Sequence, residues 1–460
     1  MAKPDATRPP SVERVLASVR GRLDGGADPT VATEAAREVV AEERQRLATG
    51  SAARGAASLG DAVLERLAGR AEGWRDGLAP VINATGVIVH TNLGRAPWPA
   101  AAGAAAVGLA AEYLMLELDR DSGRRGRRFR AAETVLAELT GAEDALVTNN
   151  NAAAVALAVG LAGRGGVAVS RGELVEIGGG VRIPEIVRRA GARLVEVGTT
   201  NRTRAADFEA PLAEGRARLV LRVHPSNFVQ SGFTEAPEPR ELAELAHRHG
   251  AIVVDDLGSG ALLDTARFGL THEPMPRERL ADGADLVTFS GDKLVGGPQA
   301  GLVVGQAKFV ERLRRDPLAR AMRPDKVTLA AVAATLGLYR AGRAEREIPV
   351  WRMIATSEPT LRERAERVAT TVGERAAVVS LRSTVGGGSL PGETLPSWGV
   401  ALGGRSASRL LAGLRHGTPC VVARIEEGRV VLDLRTVLEE RLDEVPGAIL
   451  SALERTGRRQ

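Results

Sequence analysis

The chain has 460 residues, of which 44% are hydrophobic and 26% are charged, and its formal net charge is +5. This length allows two or three domains, and the apolar content is ample for a sizeable core. The single cysteine, Cys420, excludes an internal disulfide and any zinc site built from cysteine pairs, and the six histidines are scattered along the chain. We therefore expect no metal site.

The beginning of the sequence carries no sign of export. The first ten residues, MAKPDATRPP, lack the apolar core of a signal peptide. The nearest approach to a membrane span, PAAAGAAAVGLAAEYLML, is dominated by alanine and glycine and is interrupted by Glu112. We therefore expect a cytoplasmic protein.

Residues 1–78 are predicted to form a small helical domain. Apolar residues recur there at the spacing of amphipathic helices. The two stretches that show this spacing contain Val12, Val15, Leu16, Val19 and Leu23, then Ala32, Ala35, Ala36, Val39, Val40 and Leu47. Over residues 1–80, twelve lysines and arginines balance twelve aspartates and glutamates, so no basic tract marks a nucleic-acid surface.

Residues 79–340 are predicted to form a large α/β domain. Seven short runs rich in β-branched residues alternate with segments long enough to be helices. The runs are DALVTNN, GVAVSRGE, RLVEVGTT, RLVLRVHPSN, AIVVDDLGSG, DLVTFSGDK and GLVVG. Strands that alternate with helices in this way predict an open, mostly parallel seven-stranded sheet.

Residues 341–460 are predicted to form a smaller α+β domain. It contains a helix, SASRLLAGLRHG, and a hairpin, VVARIEEGRVVLDL, that turns at Glu427-Gly428. The most loop-like segment is STVGGGSLPGETLPS, residues 383–397, because glycine, proline and serine are concentrated there.

Polar clusters follow three of the predicted strands. Asn149, Asn150 and Asn151 open an apolar helix, Asp255 and Asp256 close a second strand, and Ser290, Asp292 and Lys293 close a third. Open parallel sheets bind ligands beyond the carboxyl ends of their strands, where helix N-termini also point. An anion seat, an acid and an amine together predict a pyridoxal phosphate pocket. In such a pocket the lysine forms a Schiff base with the aldehyde and the aspartate keeps the pyridinium nitrogen protonated.

Each cluster by itself has an ordinary explanation. Lys293 is consistent with a surface lysine at a strand end, Asp256 with a helix cap, and Asn149–Asn151 with an N-cap that binds no ligand. The order of seat, acid and lysine, each after its own strand, favours the cofactor pocket. Nucleotide motifs do not compete, because GSGALL lacks the third glycine of a dinucleotide fingerprint and GGPQAG lacks the Gly-Lys-Ser/Thr of a P-loop.

Several long strings resemble one family. They are INATGVIVHTNLGRA (82–96), NNNAAAV (149–155), SRGELVEIGG (170–179), EVGTTNRT (196–203), DLGSG (256–260), EPMP (273–276), TFSGDKLVGGPQAG (288–301) and GSLP (388–391). Over almost its whole length the chain resembles bacterial selenocysteine synthase, the L-seryl-tRNA(Sec) selenium transferase, which is a fold-type I pyridoxal phosphate enzyme.

The resemblance assigns roles to residues. It implies that Lys293 is the Schiff-base lysine and Asp256 the pyridinium partner. It places Asn227 near the ring hydroxyl, Ser290 and Asn150 near the phosphate, and the neighbouring Asn151 with the cofactor-binding residues. Asp292, beside the lysine, also looks essential, and proton donation to a leaving hydroxyl is one role for it.

The resemblance also implies the reaction. Water is eliminated from seryl-tRNA(Sec) to give aminoacrylyl-tRNA, with the freed lysine amine removing the α-proton, and selenium is then added from selenophosphate. The family's arginines for this anion match Arg95, Arg320 and Arg323, since a guanidinium binds phosphate oxygens in pairs. Without the resemblance, these arginines would be read as solvated surface cations.

The expected partners are seryl-tRNA(Sec), selenophosphate and further copies of the chain. The resemblance implies dimers that assemble into a ring, a decamer. The resemblance assigns tRNA binding to the helical domain. The dense positive charge lies instead in DRDSGRRGRRFR, residues 119–130, which is consistent either with a solvated hairpin or with a contact to the acceptor arm.

Two alternative functions remain open from the residues. One is a related pyridoxal phosphate lyase that acts on a free amino sugar or amino acid. The other is a catalytically silent RNA-binding relative, which the presence of Lys293, Asp256 and Asn150 disfavours.

Overall fold

The computed structural model describes residues 8–23, 28–72, 78–126, 130–177, 180–225, 228–403 and 406–457. The chain divides into two compact units, residues 1–80 and 81–460, and each is described here by itself. The further division of the second unit at residue 340 stays a prediction.

The first unit contains three helices in its described part: α1 (Val12–Val19), α2 (Pro29–Ala48) and α3 (Ala56–Glu72). Side chains cap two of them, since Ser11 accepts a hydrogen bond from Arg14 N–H and Asp28 accepts one from Thr30 N–H. The apolar stripes pack together in one core, formed by Val15, Ala35, Ala36, Val39, Val40, Leu59 and Val63. The helical character predicted for this part of the chain is present.

The second unit alternates strands and helices. Its strands are β1 (Val81–Asn83), β2 (Asp144–Thr148), β3 (Gly166–Ser170), β4 (Glu176–Ile177), β5 (Val181–Arg182), β6 (Arg193–Val197), β7 (Leu219–Val223), β8 (Ile252–Gly258), β9 (Leu286–Ser290), β10 (Gly301–Gly305), β11 (Ala376–Thr384), β12 (Thr394–Leu402), β13 (Cys420–Val422), β14 (Arg424–Glu426) and β15 (Arg429–Asp433). Its helices are α4 (Ala100–Ala110), α5 (Arg130–Thr140), α6 (Asn151–Gly160), α7 (Ile183–Arg189), α8 (Ala205–Ala213), α9 (Pro239–Arg248), α10 (Pro276–Ala281), α11 (Ala307–Arg315), α12 (Pro317–Ala321), α13 (Lys326–Arg340), α14 (Ala344–Glu347), α15 (Pro349–Ala355), α16 (Glu358–Val372), α17 (Ala407–Arg415) and α18 (Val445–Gly457).

The large sheet has seven strands in the order β2-β10-β9-β8-β7-β3-β6. Strand β10 runs antiparallel to both of its neighbours, and the other strands are parallel to one another. Their registers place Val223, Asp256 and Thr288 in one row across β7, β8 and β9. The seven runs read from the sequence are these seven strands, so the predicted mostly parallel α/β sheet is confirmed.

Helices cover both faces of this sheet, which explains the continuous apolar runs of its strands. One face carries a core with side chains from α6, α7 and α11, and the other carries a core with side chains from α5, α8, α9 and α13. Because both faces are covered, a ligand can reach the sheet only at the ends of its strands. Among the described residues, no helix combines the length and apolar character that a membrane span requires.

A second sheet, in the order β11-β12-β15-β14, is fully antiparallel. The predicted hairpin joins β14 to β15, and Glu427 (φ 49°) and Gly428 (φ 76°) have the positive angles of a tight turn. The predicted loop over residues 383–397 was wrong at both ends. Residues 383–384 end β11 and residues 394–397 begin β12, because the two nine-residue strands pair along their full length.

Candidate active site

Asp256 and Lys293 lie at the carboxyl ends of neighbouring strands, β8 and β9. Asp256 is 2% exposed and Lys293 is 7% exposed, although both carry ionisable side chains. Lys293 is therefore not a surface lysine. Its backbone turn is held by hydrogen bonds from Gly296 N–H to Lys293 O (3.0 Å) and from Leu294 N–H to Ser259 O (3.1 Å).

Small residues around the lysine are required by the close approach of other backbone. A Cβ at residue 291 would lie 2.7 Å from Pro298 O, and Gly296 has φ +72° with Ile348 in the way of any side chain. Behind the turn, the Tyr339 hydroxyl donates to the carbonyl of Val295 (2.9 Å) and accepts from Trp351 Nε1 (2.6 Å). The lysine is thus held on a rigid, buried turn.

The Lys293 ammonium is disfavoured by its surroundings. Burial lowers the pKa of Lys293, and the nearby Arg95 cation acts in the same direction. The carboxylates of Asp256, Asp292 and Glu273 oppose this shift without reversing it. The neutral amine, which is the nucleophilic form, is therefore populated at a lower pH than in an ordinary lysine.

The hydrogen bonds to the Asp256 carboxylate converge on one oxygen. Asn151 Nδ2 donates to Oδ1 at 2.8 Å, and Thr288 Oγ1 and Gly258 N–H each donate to it at 3.1 Å. Burial raises the pKa of Asp256, while these donors and Lys293 oppose the rise. Within the part of the chain that the structure describes, no donor reaches Oδ2, so this oxygen can accept a hydrogen bond from a ligand.

The turn that opens α6 lies beside the same carboxylate. Asn150 Oδ1 accepts from Ala153 N–H at 2.9 Å, which is an ordinary N-cap, and Asn151 is the residue that reaches Asp256. Gly301 of β10 faces this turn, where a Cβ would lie only 2.1 Å from Asn150 O. Ser290 is buried and pairs with Gly301 in the β9–β10 register. These residues meet at the N-terminus of a ten-residue helix, where free N–H groups favour an anion.

Arg95 and Asp292 are joined next to the lysine. Arg95 Nη1 lies 2.7 Å from Asp292 Oδ2, and Ala96 N–H donates to Asp292 O at 3.2 Å. Arg95 also has φ 65°, a left-handed conformation that a non-glycine residue rarely adopts. The two residues are 197 positions apart in sequence, and the fold brings both to Lys293.

The other two predicted arginines lie on α12 and just after it. Arg320 is exposed on α12, and Arg323 Nη1 lies 3.3 Å from Glu117 Oε1 on the wall of a cavity of about 440 Å³. This segment is tied to the α6 turn, because Asn149 N–H donates to Met322 O at 2.8 Å. Glu117 also binds Arg125 (2.6 Å), so the arginine-rich hairpin reaches the same cavity. Asn227, the predicted partner of a ring hydroxyl, lies outside the described residues.

Three polar residues near the site did not appear among the predicted site residues. Thr288 donates to Asp256, as described above. His224 donates its N–H to Asp256 O at 2.9 Å, and its Nε2 lies 3.5 Å from Glu273 Oε1. Two local features of the sequence could have identified two of them. His224 directly follows β7, much as Asp256 lies at the end of β8, and Glu273 is the first residue of the EPMP string.

The sequence was compared with known families and proteins. A family model described as L-seryl-tRNA selenium transferase matches residues 81–438. The chain belongs to the L-seryl-tRNA selenium transferase family. A relative named L-seryl-tRNA(Sec) selenium transferase from Rhizobium meliloti (strain 1021) is 46% identical over 444 residues, covering 94% of each chain. A relative of the same name from Moorella thermoacetica is 48% identical over 396 residues, covering 83% of each.

A solved structure supports the fold of this transferase-family chain. The structure of D-glucosaminate-6-phosphate ammonia-lyase superposes with a TM-score of 0.60 at 21% identity, covering 84% of this chain and 98% of that one. At this identity the likeness shows the fold alone. The predicted fold-type I architecture and the predicted family are confirmed.

Proposed function

We propose that this protein carries pyridoxal phosphate on Lys293 and converts L-seryl-tRNA(Sec) to selenocysteinyl-tRNA(Sec), using selenophosphate as the selenium donor. The observation that carries the proposal is the convergence of Lys293, Asp256 and Asn151 at the carboxyl edge of the sheet. It occurs in a chain that is 46% identical to a relative of that name along nearly its whole length. When bound, the cofactor would supply an electron sink for loss of the α-proton and the β-hydroxyl.

The described residues fit this cofactor. Asp256 Oδ2 accepts from no donor among the described residues and can accept from a ring N–H. Only glycine fits at position 301 beside Asn150 O, so no side chain from that position covers the N-terminus of α6, where a phosphate would bind. We assign Asn150, Asn151 and Ser290 to this end of the site and Asn227 to the ring hydroxyl.

Lys293 then has two duties. Its neutral amine would hold the cofactor, and when free the same nitrogen would accept the α-proton of the substrate. Its burial favours both duties, because a less basic lysine is unprotonated more often at neutral pH. Asp292 holds the Arg95 guanidinium beside this amine, and we assign Arg95, with Arg320 and Arg323, to the incoming selenophosphate.

The pH dependence of cofactor attachment tests the state of Lys293. Since its pKa is lowered, the neutral fraction rises as the pH increases through a value below the ordinary lysine pKa of about 10.4. The yield of lysine trapped with pyridoxal phosphate by borohydride should therefore reach its midpoint below that pH and fall as the pH is lowered further. A midpoint at or above the ordinary value would contradict the burial of the amine.

The proposed function is tested by adding seryl-tRNA(Sec), and then free L-serine, to the cofactor-loaded protein while its visible spectrum is followed. Only seryl-tRNA(Sec) should change the spectrum appreciably, and addition of selenophosphate should then yield selenocysteinyl-tRNA(Sec). A spectrum that responds to free serine and not to the charged tRNA would favour a lyase that acts on free amino compounds. The present support for that alternative is likeness of fold alone.

Arg323 should matter for the second half-reaction only. Arg323→Ala removes a guanidinium from a cavity wall but leaves Lys293 and Asp256 intact. We expect aminoacrylyl-tRNA to form at the normal rate and selenium addition to slow by about tenfold or more, the worth of a charge-assisted hydrogen bond. Single-turnover assays of each step make the measurement, with Arg315→Ala as the control, since Arg315 is an exposed arginine paired with Glu311. An equal loss of rate in both steps would contradict the assignment of Arg323 to selenophosphate.

We further propose a cytoplasmic homo-oligomer, built from dimers in a decameric ring, with the helical unit holding the tRNA. These features rest on the resemblance to the family. Light scattering after gel filtration would measure the assembled mass, and a monomer would contradict the ring.

A further inference from the structure

Glu273 is a buried carboxylate whose Oε1 has no hydrogen-bond donor among the residues that the structure describes. It is 3% exposed, and in the described ranges its buried Oε1 has no hydrogen-bond partner. Its backbone is fixed, because Glu273 N–H donates to Thr265 Oγ1 at 2.8 Å. Burying a carboxylate in this way is costly, so its retention at a fixed position calls for a ligand or a function.

The surroundings of Glu273 point to the reacting centre. The carboxylate lines a cavity of about 460 Å³ together with His224, Phe228, Leu390 and Pro391. Its Oε1 lies 3.5 Å from His224 Nε2, and His224 is bonded through its backbone to Asp256. Glu273 is also close enough to Lys293 for its charge to act on the lysine.

Glu273 differs from the other charged groups that act on Lys293. Those groups are Asp256, Arg95 and Asp292. Asp256 accepts three hydrogen bonds, and Arg95 and Asp292 are bound to each other at 2.7 Å. Glu273 thus differs from these groups in that its Oε1 accepts no hydrogen bond from the described residues.

The two amino-acid species that could enter the site differ in charge. Serine esterified to tRNA carries an α-ammonium near neutral pH and has no carboxylate, whereas free serine carries both groups. A buried carboxylate near the lysine attracts the ammonium of either species but repels the carboxylate of free serine. In a site of low dielectric constant such repulsion acts over several ångströms.

We propose that Glu273 is a specificity-determining residue that selects an esterified amino acid over the free amino acid. The inference rests on the proposed function and gives its substrate preference a physical origin. His224 Nε2 lies 3.5 Å from one oxygen of this carboxylate, and in this proposal the substrate approaches from the cavity that Glu273 lines.

The experiment compares L-serine methyl ester with L-serine, which differ in the α-carboxylate charge. Each is titrated at pH 7 into the full-length, cofactor-loaded protein, and apparent dissociation constants are read from the visible spectrum. Where the spectrum does not change, the highest concentration tested sets a lower limit on the constant. We expect the wild type to prefer the ester by more than tenfold, and Glu273→Gln to reduce that preference by about tenfold. Glu273→Asp keeps the charge and should keep most of the preference.

Glu393→Gln is the matched control. Glu393 lines the same cavity, but its carboxylate is bound by the Thr271 hydroxyl at 2.7 Å. It should leave the ester preference unchanged, and circular dichroism spectra should show that all variants are folded.

Three results would overturn the inference: an unchanged ester preference in Glu273→Gln, an equal loss of preference in Glu393→Gln, or a wild type that binds free serine as tightly as the ester. The last result needs only the wild type, so it tests the inference even if Glu273→Gln does not fold. Failure of the proposed function is recognised separately, because the wild type would then show no response to seryl-tRNA(Sec).

Discussion

Lys293→Ala should abolish covalent attachment of pyridoxal phosphate. The amine is buried at the end of β9 beside Asp256, and alanine leaves no nucleophile at that position. The wild type, loaded with the cofactor and reduced with borohydride, should carry the label on the peptide that contains residue 293. The variant should show neither the label nor the visible absorbance of the attached cofactor, and it should lose transferase activity altogether.

The chain offers few other lysines that pyridoxal phosphate could label. It has four lysines, at positions 3, 293, 308 and 326. Lys308 is exposed, with its ammonium over the Phe309 ring at 4.6 Å, so Lys308→Ala is the matched control and should keep the full label. Stoichiometric labelling of the Lys293→Ala protein would show that the cofactor is attached to a different residue.

Asp256→Asn should leave the cofactor attached but slow loss of the α-proton by about 100-fold or more, a typical cost of losing a preorganised electrostatic contact. An asparagine side chain has the same shape and its oxygen can keep the bonds from Asn151 and Thr288. It has no negative charge, and its amide nitrogen would replace the oxygen that is free to accept from a ring N–H. Formation of aminoacrylyl-tRNA in a single turnover measures the effect.

Asp255→Asn separates this role from general damage. Asp255 is the adjacent residue of β8, so its side chain points to the opposite face of the sheet, where it pairs with Arg222 at 3.2 Å. We expect this variant to have a lower melting temperature, because a buried ion pair is broken, and a nearly normal rate of proton loss. If proton loss slowed equally in both variants, Asp256 would have no specific role in the reaction.

The strands of the large sheet were predictable because each is buried on both faces and forms an unbroken apolar run. Their order was not. GLVVG would have the same pattern in a parallel or an antiparallel strand, and only the tertiary structure inserts β10 antiparallel between β2 and β9. Strand pairing likewise decided the structure of residues 383–397, which their composition predicted to be a loop. The glycines mark only the turn of a long hairpin, and the residues at both ends of the segment belong to its strands.

The site shows the same division. The sequence by itself determined which groups follow each strand, since a lysine, an aspartate or an asparagine at a strand end is local information. The tertiary structure decided which of these groups are satisfied, because their partners come from far away: Asn151 is 105 positions from Asp256. It also decided that Glu273 Oε1 has no donor among the described residues, because this property arises only when distant segments pack around the side chain and exclude water.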